Sequence, residues 1–234
     1  MKKLVTTIGA LAAIGLLASS ALAANAVRIS QVYGGGGGST GTYLRDYVEI
    51  FNSSGTAVNI GGWTLEYGSA TGNWGSSAGN IFTFPVGTMI QPCSYLLIEA
   101  GAPGTAGSAL PIAADFSTVT TGFSMSATSG KVGLFTAANA NLACGSEIAG
   151  TLVDKVAYGT ANCAEGTATP TLNSTNVAVR GLGGMTDTDS NQADFSVQTT
   201  ASVTLHNAAS GTNANCLSTP SMNSTWGRVK QIYR

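Results

Sequence analysis

The chain has 234 residues, of which 9% are charged against about 25% in an average globular protein, and its formal net charge is −1. Its single histidine limits the chemistry, since most nucleophilic triads and zinc centres need at least one imidazole in the right place, and its low charge leaves no broad basic face for nucleic acid. Its apolar segments are separated by turn residues at roughly 8 to 12 residue intervals, which favours an all-β sandwich over disorder.

Residues 1–23 read as a secretory signal peptide: Lys2 and Lys3, an apolar run from Leu4 to Leu17, then Ala21-Leu22-Ala23 as a cleavage site. The mature chain is expected to begin at Ala24, and a cut after Ala26 also fits. No later stretch approaches the ~18 apolar residues of a membrane span, so the product is expected to be soluble and secreted or held at the cell surface. Loss of Lys2 and Lys3 leaves 8 basic against 11 acidic residues. Three of those bases, Arg228, Lys230 and Arg234, lie in the last seven residues, so the body is acidic and nucleic-acid binding by it is disfavoured.

In chain order, strands are predicted at Val27 to Tyr33, Tyr47 to Asn52, Trp63 to Tyr67, Ile81 to Phe84, Tyr95 to Glu99, Lys131 to Phe135, Val153 to Tyr158 and Val177 to Arg180. Eight strands of this length suit two packed sheets. The Gly34 to Gly38 run lacks the Lys-Ser/Thr and helix start of a phosphate loop, and reads as a flexible connection. In DYVEIFN, Val48 and Ile50 share one face and Tyr47, Glu49 and Phe51 the other, the pattern of a strand covered on both sides. Asn52, Ser53, Ser54 and Gly55 break it, and Gly61-Gly62 allow the chain to bend into the next layer. The stretches from Gly101 to Thr121 and from Gly159 to Asn176 read as long surface connections. The β-sandwich is expected to occupy 24–207, a polar linker 208–224 and a basic aromatic tail 225–234.

The layout from Asp46 to Gly68, DYVEIFNSSGTAVNIGGWTLEYG, resembles the lamin-tail domain as it occurs in secreted bacterial proteins. The resemblance extends through VRISQVYGGGGG, FPVGTMIQPCSYLLIEA, SMSATSGKVGLF, LVDKVAYG, VAVRGLGG and TDTDSNQADF. It implies an immunoglobulin-like β-sandwich of about eight strands with a short C-terminal extension. Cys93 stands where that resemblance expects a turn glycine, and Met185 where it often shows a cysteine.

Four cysteines in an exported chain suggest two disulfides, for which the spacing alone allows three pairings. The resemblance favours Cys144 with Cys163, flanking LVDKVAYG, which leaves Cys93 with Cys216. Metal binding by these cysteines is the lesser reading, since none forms a C-x-x-C pair.

Among other side chains, Glu49 shares a face with Tyr47 and Phe51, where a bare carboxylate is costly. It is expected to be structural, accepting backbone N–H bonds from the neighbouring turn; the alternative is a cation or substrate ligand with Asp46. Asp187, Asp189, Asn191 and Asp194 place oxygens at alternating positions, as a calcium loop does, but lack the glycine and glutamate of an EF-hand; Asx-turns and a short helical turn capped by these side chains are the preferred reading, with calcium the alternative. His206 has no nucleophile motif around it. In the tail, Trp226, Val229, Ile232 and Tyr233 fall on one side of a helix, with Arg228, Lys230 and Arg234 around it, which reads as a recognition tag or a docked segment.

These features favour a non-catalytic binding or structural module with a protein or cell-surface partner and no cofactor, calcium aside. Two other readings are a metal-assisted secreted hydrolase or nuclease accessory protein, using Glu49 and the Asp187 to Asp194 loop, and nucleic-acid or anionic-surface binding through the tail.

Overall fold

The computed structural model describes residues 26–118 and 123–216. Two sheets stack face to face. The larger contains β12 (Phe195–Thr199), β11 (Asn176–Arg180), β1 (Val27–Tyr33), β2 (Asp46–Asn52), β7 (Tyr95–Ala100) and β8 (Phe116–Ser117), in that order. The smaller runs β10 (Leu152–Tyr158), β9 (Gly130–Phe135), β4 (Thr64–Ser69) and β5 (Ile81–Thr83). A short ladder joins β3 (Val58–Asn59) to β6 (Met89–Ile90). Neighbouring strands are antiparallel except β7 and β8, which are parallel.

The eight strands expected from sequence are all present to within a residue or two, and four more accompany them: β3, β6, β8 and β12. β2 and β4 lie in opposite sheets, joined through Gly62, whose φ of +86° suits a residue without a Cβ. Between the sheets lies a core that includes Ile29, Val48, Ile50, Leu65, Ile98, Phe123, Val132 and Val156. Burying each large apolar side chain contributes roughly 1.5 to 3 kcal/mol.

The outer face of the larger sheet is covered too. Tyr33, Tyr43, Tyr47, Leu97, Val177 and Leu205 form a second cluster, with Leu110, Ile112, Ala114 and Val203 packed on it. The connection after β7 therefore supplies part of an apolar layer and is more than a surface loop. Val203 and Leu205 close the layer from the C-terminal side.

The chain is also tied down beyond Ala208, where a linker was expected to begin. The Ala208 N–H donates to Asp115, Asn213 N–H donates to the Cys93 carbonyl at 2.8 Å, and Cys216 is bonded to Cys93. The rest of that stretch and the whole tail, with Trp226, Arg228, Lys230, Tyr233 and Arg234, lie outside the described residues, as does the signal segment.

The first three glycines of the run after β1 are packed, while Gly37 and Gly38 are exposed. A Cβ on Gly34 would meet the Ser126 carbonyl, one on Gly35 the Ser174 backbone, and one on Gly36 the Arg45 backbone. Three strand connections converge there, and only residues without side chains let them approach.

Candidate functional site

Strand β2 carries two buried carboxylates three positions apart. Asp46 and Glu49 fall on opposite faces of β2, so they do not form a joint ligand pair. Glu49 points to the outer face, where it is 1% exposed. Its Oε1 accepts from Ser30 Oγ at 2.6 Å and from Gln31 Nε2 at 3.2 Å. Its Oε2 accepts the His206 backbone N–H at 2.7 Å, and His206 Nδ1 lies 3.2 Å away. Gln31 is itself held, donating to the Thr204 carbonyl at 2.9 Å and accepting from Tyr47 OH at 3.0 Å.

The expected partners of Glu49, the backbone donors of the adjacent turn, are not the ones it uses. Asn52 closes that turn instead: its Nδ2 donates to the carbonyls of Thr56, Ile90 and Gln91, and its Oδ1 accepts from Ser54 N. Glu49, pointing away from the turn, is left to join β1 to the C-terminal segment. His206 stacks on Tyr95, with ring centroids 4.4 Å apart and planes at 20°. A groove of about 160 Å³ opens beside this joint, with Gln31, Glu49, Gln198, Ser202, Val203 and His206 in its lining.

The set contains a hydroxyl, a carboxylate and an imidazole, but in the wrong order for a nucleophile. In a hydrolytic triad the imidazole stands between hydroxyl and carboxylate, taking the hydroxyl proton. Here the carboxylate stands in the middle and Ser30 donates to Glu49, which leaves the hydroxyl without an imidazole to take its proton.

Asp46 faces inward and accepts the N–H groups of Gly36 at 2.8 Å and Met125 at 2.7 Å. Burial raises its pKa to about 7, although those two bonds pull it down. It pins the glycine run and the approach to β9 to the start of β2.

The four residues of the acidic loop do not converge on one point. Asp187 pairs with Arg28 at 2.9 Å and Arg180 at 3.4 Å. Asp194 accepts from Thr188 N and Oγ1, at 3.0 and 2.8 Å. Asn191 turns the other way, onto β10, accepting from Ala157 N and donating to the Lys155 carbonyl, each at 2.9 Å. Asp189 is exposed at φ +55°. A loop gathering oxygens around calcium would aim them at a common centre; protein donors have drawn these apart.

Sequence reasoning overlooked Arg180. It is fully buried, and it donates to both oxygens of Asp154 at 2.9 and 2.8 Å and to the Ile29 carbonyl at 2.8 Å. Asp154 also accepts the Ile29 N–H at 2.6 Å. Arg180 therefore links the two sheets, with the Phe195 ring 4.5 Å from its guanidinium. The available signal was a charge at the end of VAVR and another inside LVDKVAYG, each where the strand pattern wants an apolar residue. Beside the pair is a polar cleft of about 290 Å³ lined by Arg28, Val153, Asp154, Glu165, Asp187 and Asp189. Burial, with Asp154 and Asp187 nearby, raises the Glu165 pKa to about 8.

The disulfides are Cys93–Cys216 and Cys144–Cys163. Cys93 has φ +55°, the left-handed conformation that accounts for the glycine expected at that turn. Glu147 lies 3.3 Å from Cys163 Sγ and accepts the Trp74 indole N–H at 2.7 Å. Cys144, Glu147 and Cys163 are the one metal-sized group of such side chains among the described residues, but the disulfide consumes both sulfurs.

Two stacked antiparallel sheets with this inner core make the protein an immunoglobulin-like β-sandwich. The model of the lamin tail domain matches residues 20–160, and the chain belongs to that family. No curated protein matches it. The matched region ends just after β10, so β11, β12 and the segment to Cys216 lie beyond it. The joints described above cross that boundary: Asp154 to Arg180, Glu49 to His206, Cys93 to Cys216 and Cys144 to Cys163. Residues 161–216 complete the sandwich.

Proposed function

We propose that this lamin-tail protein is an exported, non-catalytic module that binds a protein or cell-surface partner. The observation that carries the reading is the saturation of Glu49: Ser30, Gln31 and His206 occupy its oxygens, and the imidazole does not stand between hydroxyl and carboxylate. Three other buried carboxylates, Asp46, Asp154 and Asp194, are likewise held by backbone or arginine donors. Such groups stabilise a scaffold and leave recognition to surface loops and to the tail.

Export is supported by Lys2 and Lys3, the apolar run after them and the Ala21-Leu22-Ala23 site, together with two disulfides, which persist in oxidising compartments. No helix among the described residues is long and apolar enough to cross a membrane.

The test has two arms. Purified mature protein, chelated and then given Ca²⁺, is assayed against esters, nucleic acids and glycans; no turnover is expected, and turnover abolished by Glu49→Gln would overturn the non-catalytic reading. Pull-downs from the envelope of the secreting cell, with and without residues 225–234, are expected to recover a partner only with the tail present. Equal recovery by both forms would move recognition onto the sandwich, and recovery by neither would contradict the binding role.

A further inference from the structure

The two main sheets have four edges, and three of them are closed to further pairing. On β10 the Asn191 side chain occupies the Ala157 N–H and Lys155 carbonyl, and Thr169 bridges beside Tyr158. β5 has three residues and soon runs into Pro85, while β8 has only two residues. Capping side chains, proline and shortness are the usual means of blunting an edge.

β12 is blunted only at its ends. It is five residues long, Phe195-Ser196-Val197-Gln198-Thr199, without charge or proline, and it stands last in its sheet. Among the described residues its flanking turns take one backbone group at each end, the Phe195 N–H, which donates to the Asn191 carbonyl, and the Thr199 carbonyl, which accepts from Ser202 Oγ at 2.8 Å, and no strand pairs along the edge between them.

We propose that this edge pairs antiparallel with β12 of a second copy, joining two six-stranded sheets across a two-fold axis at Val197. The strand is complementary to itself in that arrangement. Val197 meets its own counterpart, Ser196 faces Gln198 of the second copy, and Phe195 faces Thr199 of the second copy. Phe195 and Val197 pack on the core side of the sheet, so the apolar face continues across the axis with hydroxyl and amide groups on the other face. No like charges oppose one another. A self-complementary patch of this kind is what a two-fold dimer requires. The short edge limits the contact to the low end of specific interfaces, about 1,200 Å² or less in total, so the dimer is weak and depends on concentration.

Sedimentation equilibrium of the full mature chain, from micromolar to near-millimolar concentration, is the test. The expected result is a monomer–dimer equilibrium. The double variant Ser196→Lys/Gln198→Lys, which gathers four lysines at the axis, should stay monomeric throughout with an unchanged melting temperature. Hydrogen exchange of the wild type gives a readout that needs no variant: β12 amides should slow as concentration rises. A wild type that remains monomeric overturns the proposal, as does a dimer that survives the two lysines. Protection of β12 equal at every concentration would also overturn it, because the edge would then be occupied within a single chain.

Discussion

Asp46 shows how much a single residue can carry here. Its two oxygens hold the N–H groups of Gly36 and Met125, yet it has no basic partner in those bonds, and burial raises its pKa to about 7. Glu165, raised to about 8, and Glu66, raised by burial, share that direction. For all three the folded-state value lies above the unfolded one, so the folded chain holds more protons between about pH 4 and 8. Stability therefore falls as pH rises through that window. Glu147 has a lowered pKa, so its contribution is present above the ordinary glutamate range and is lost only as the pH drops below it. Urea midpoints should be higher at pH 5 than at pH 8, and Asp46→Asn, itself destabilising because its amide must turn toward an N–H donor, should flatten the profile between pH 5 and 7. A wild-type midpoint that climbs from pH 5 to pH 8 would contradict this. The backbone around Asp46 is as constrained as its side chain. Gly36→Ala drives a methyl into the Arg45 backbone and should cost on the order of 1 to 3 kcal/mol, the usual range for overpacking, read as a lowered midpoint. The sequence displayed the glycines plainly, but not the backbones at Ser126 and Ser174 that pack on them, because those come from distant parts of the chain.

At the scale of elements, the strongest joint is the buried pair between β10 and β11. Removing Asp154 leaves the buried Arg180 only its longer ion-pair contacts to Asp187 and Asp194, and breaking a buried pair costs about 3 to 5 kcal/mol, whereas an apolar replacement of both members is often tolerated. Asp154→Ala should accordingly be far more damaging than Asp154→Leu combined with Arg180→Met. Equal loss in both would mean that the pair does not behave as a unit. The Cys144–Cys163 disulfide closes a loop over a sequence separation of 19 residues. In the chain-entropy model a loop of that order contributes about 3 kcal/mol, so Cys144→Ala/Cys163→Ala should lower the denaturation midpoint accordingly.

The long strands were legible because each shows the two-residue period over five or more positions. β3, β6 and β8 have two residues each, too few for any period to show. β12 does alternate, as Phe195, Val197 and Thr199 against Ser196 and Gln198, but the acidic loop before it invites a metal reading. Val203 and Leu205 alternate with Thr204 and His206 in the same way, a signal that the segment is half-buried and not a prelude to a linker. The pairing of Glu49 with His206 had no local signal, since 157 positions separate them.

For the whole molecule, residues on both sides of the family match form one sandwich, and its buried polar groups serve as joints between segments. Glu49 is the clearest example, since it joins β1, β2 and the C-terminal segment around a groove that could equally be taken for an active site. Glu49→Ala strands the His206 backbone N–H and leaves Ser30 Oγ and Gln31 Nε2 each with one carbonyl, and a buried donor left unsatisfied costs about 1 to 3 kcal/mol. The most direct measurement is the denaturation midpoint of Glu49→Ala and Glu49→Gln, taken alongside retention on the partner at a temperature where both variants remain folded. A structural joint gives a midpoint lowered by at least about 2 kcal/mol in Glu49→Ala, with retention unchanged. An unchanged midpoint accompanied by lost retention or lost turnover would show that Glu49 acts on a ligand, and would contradict the structural account.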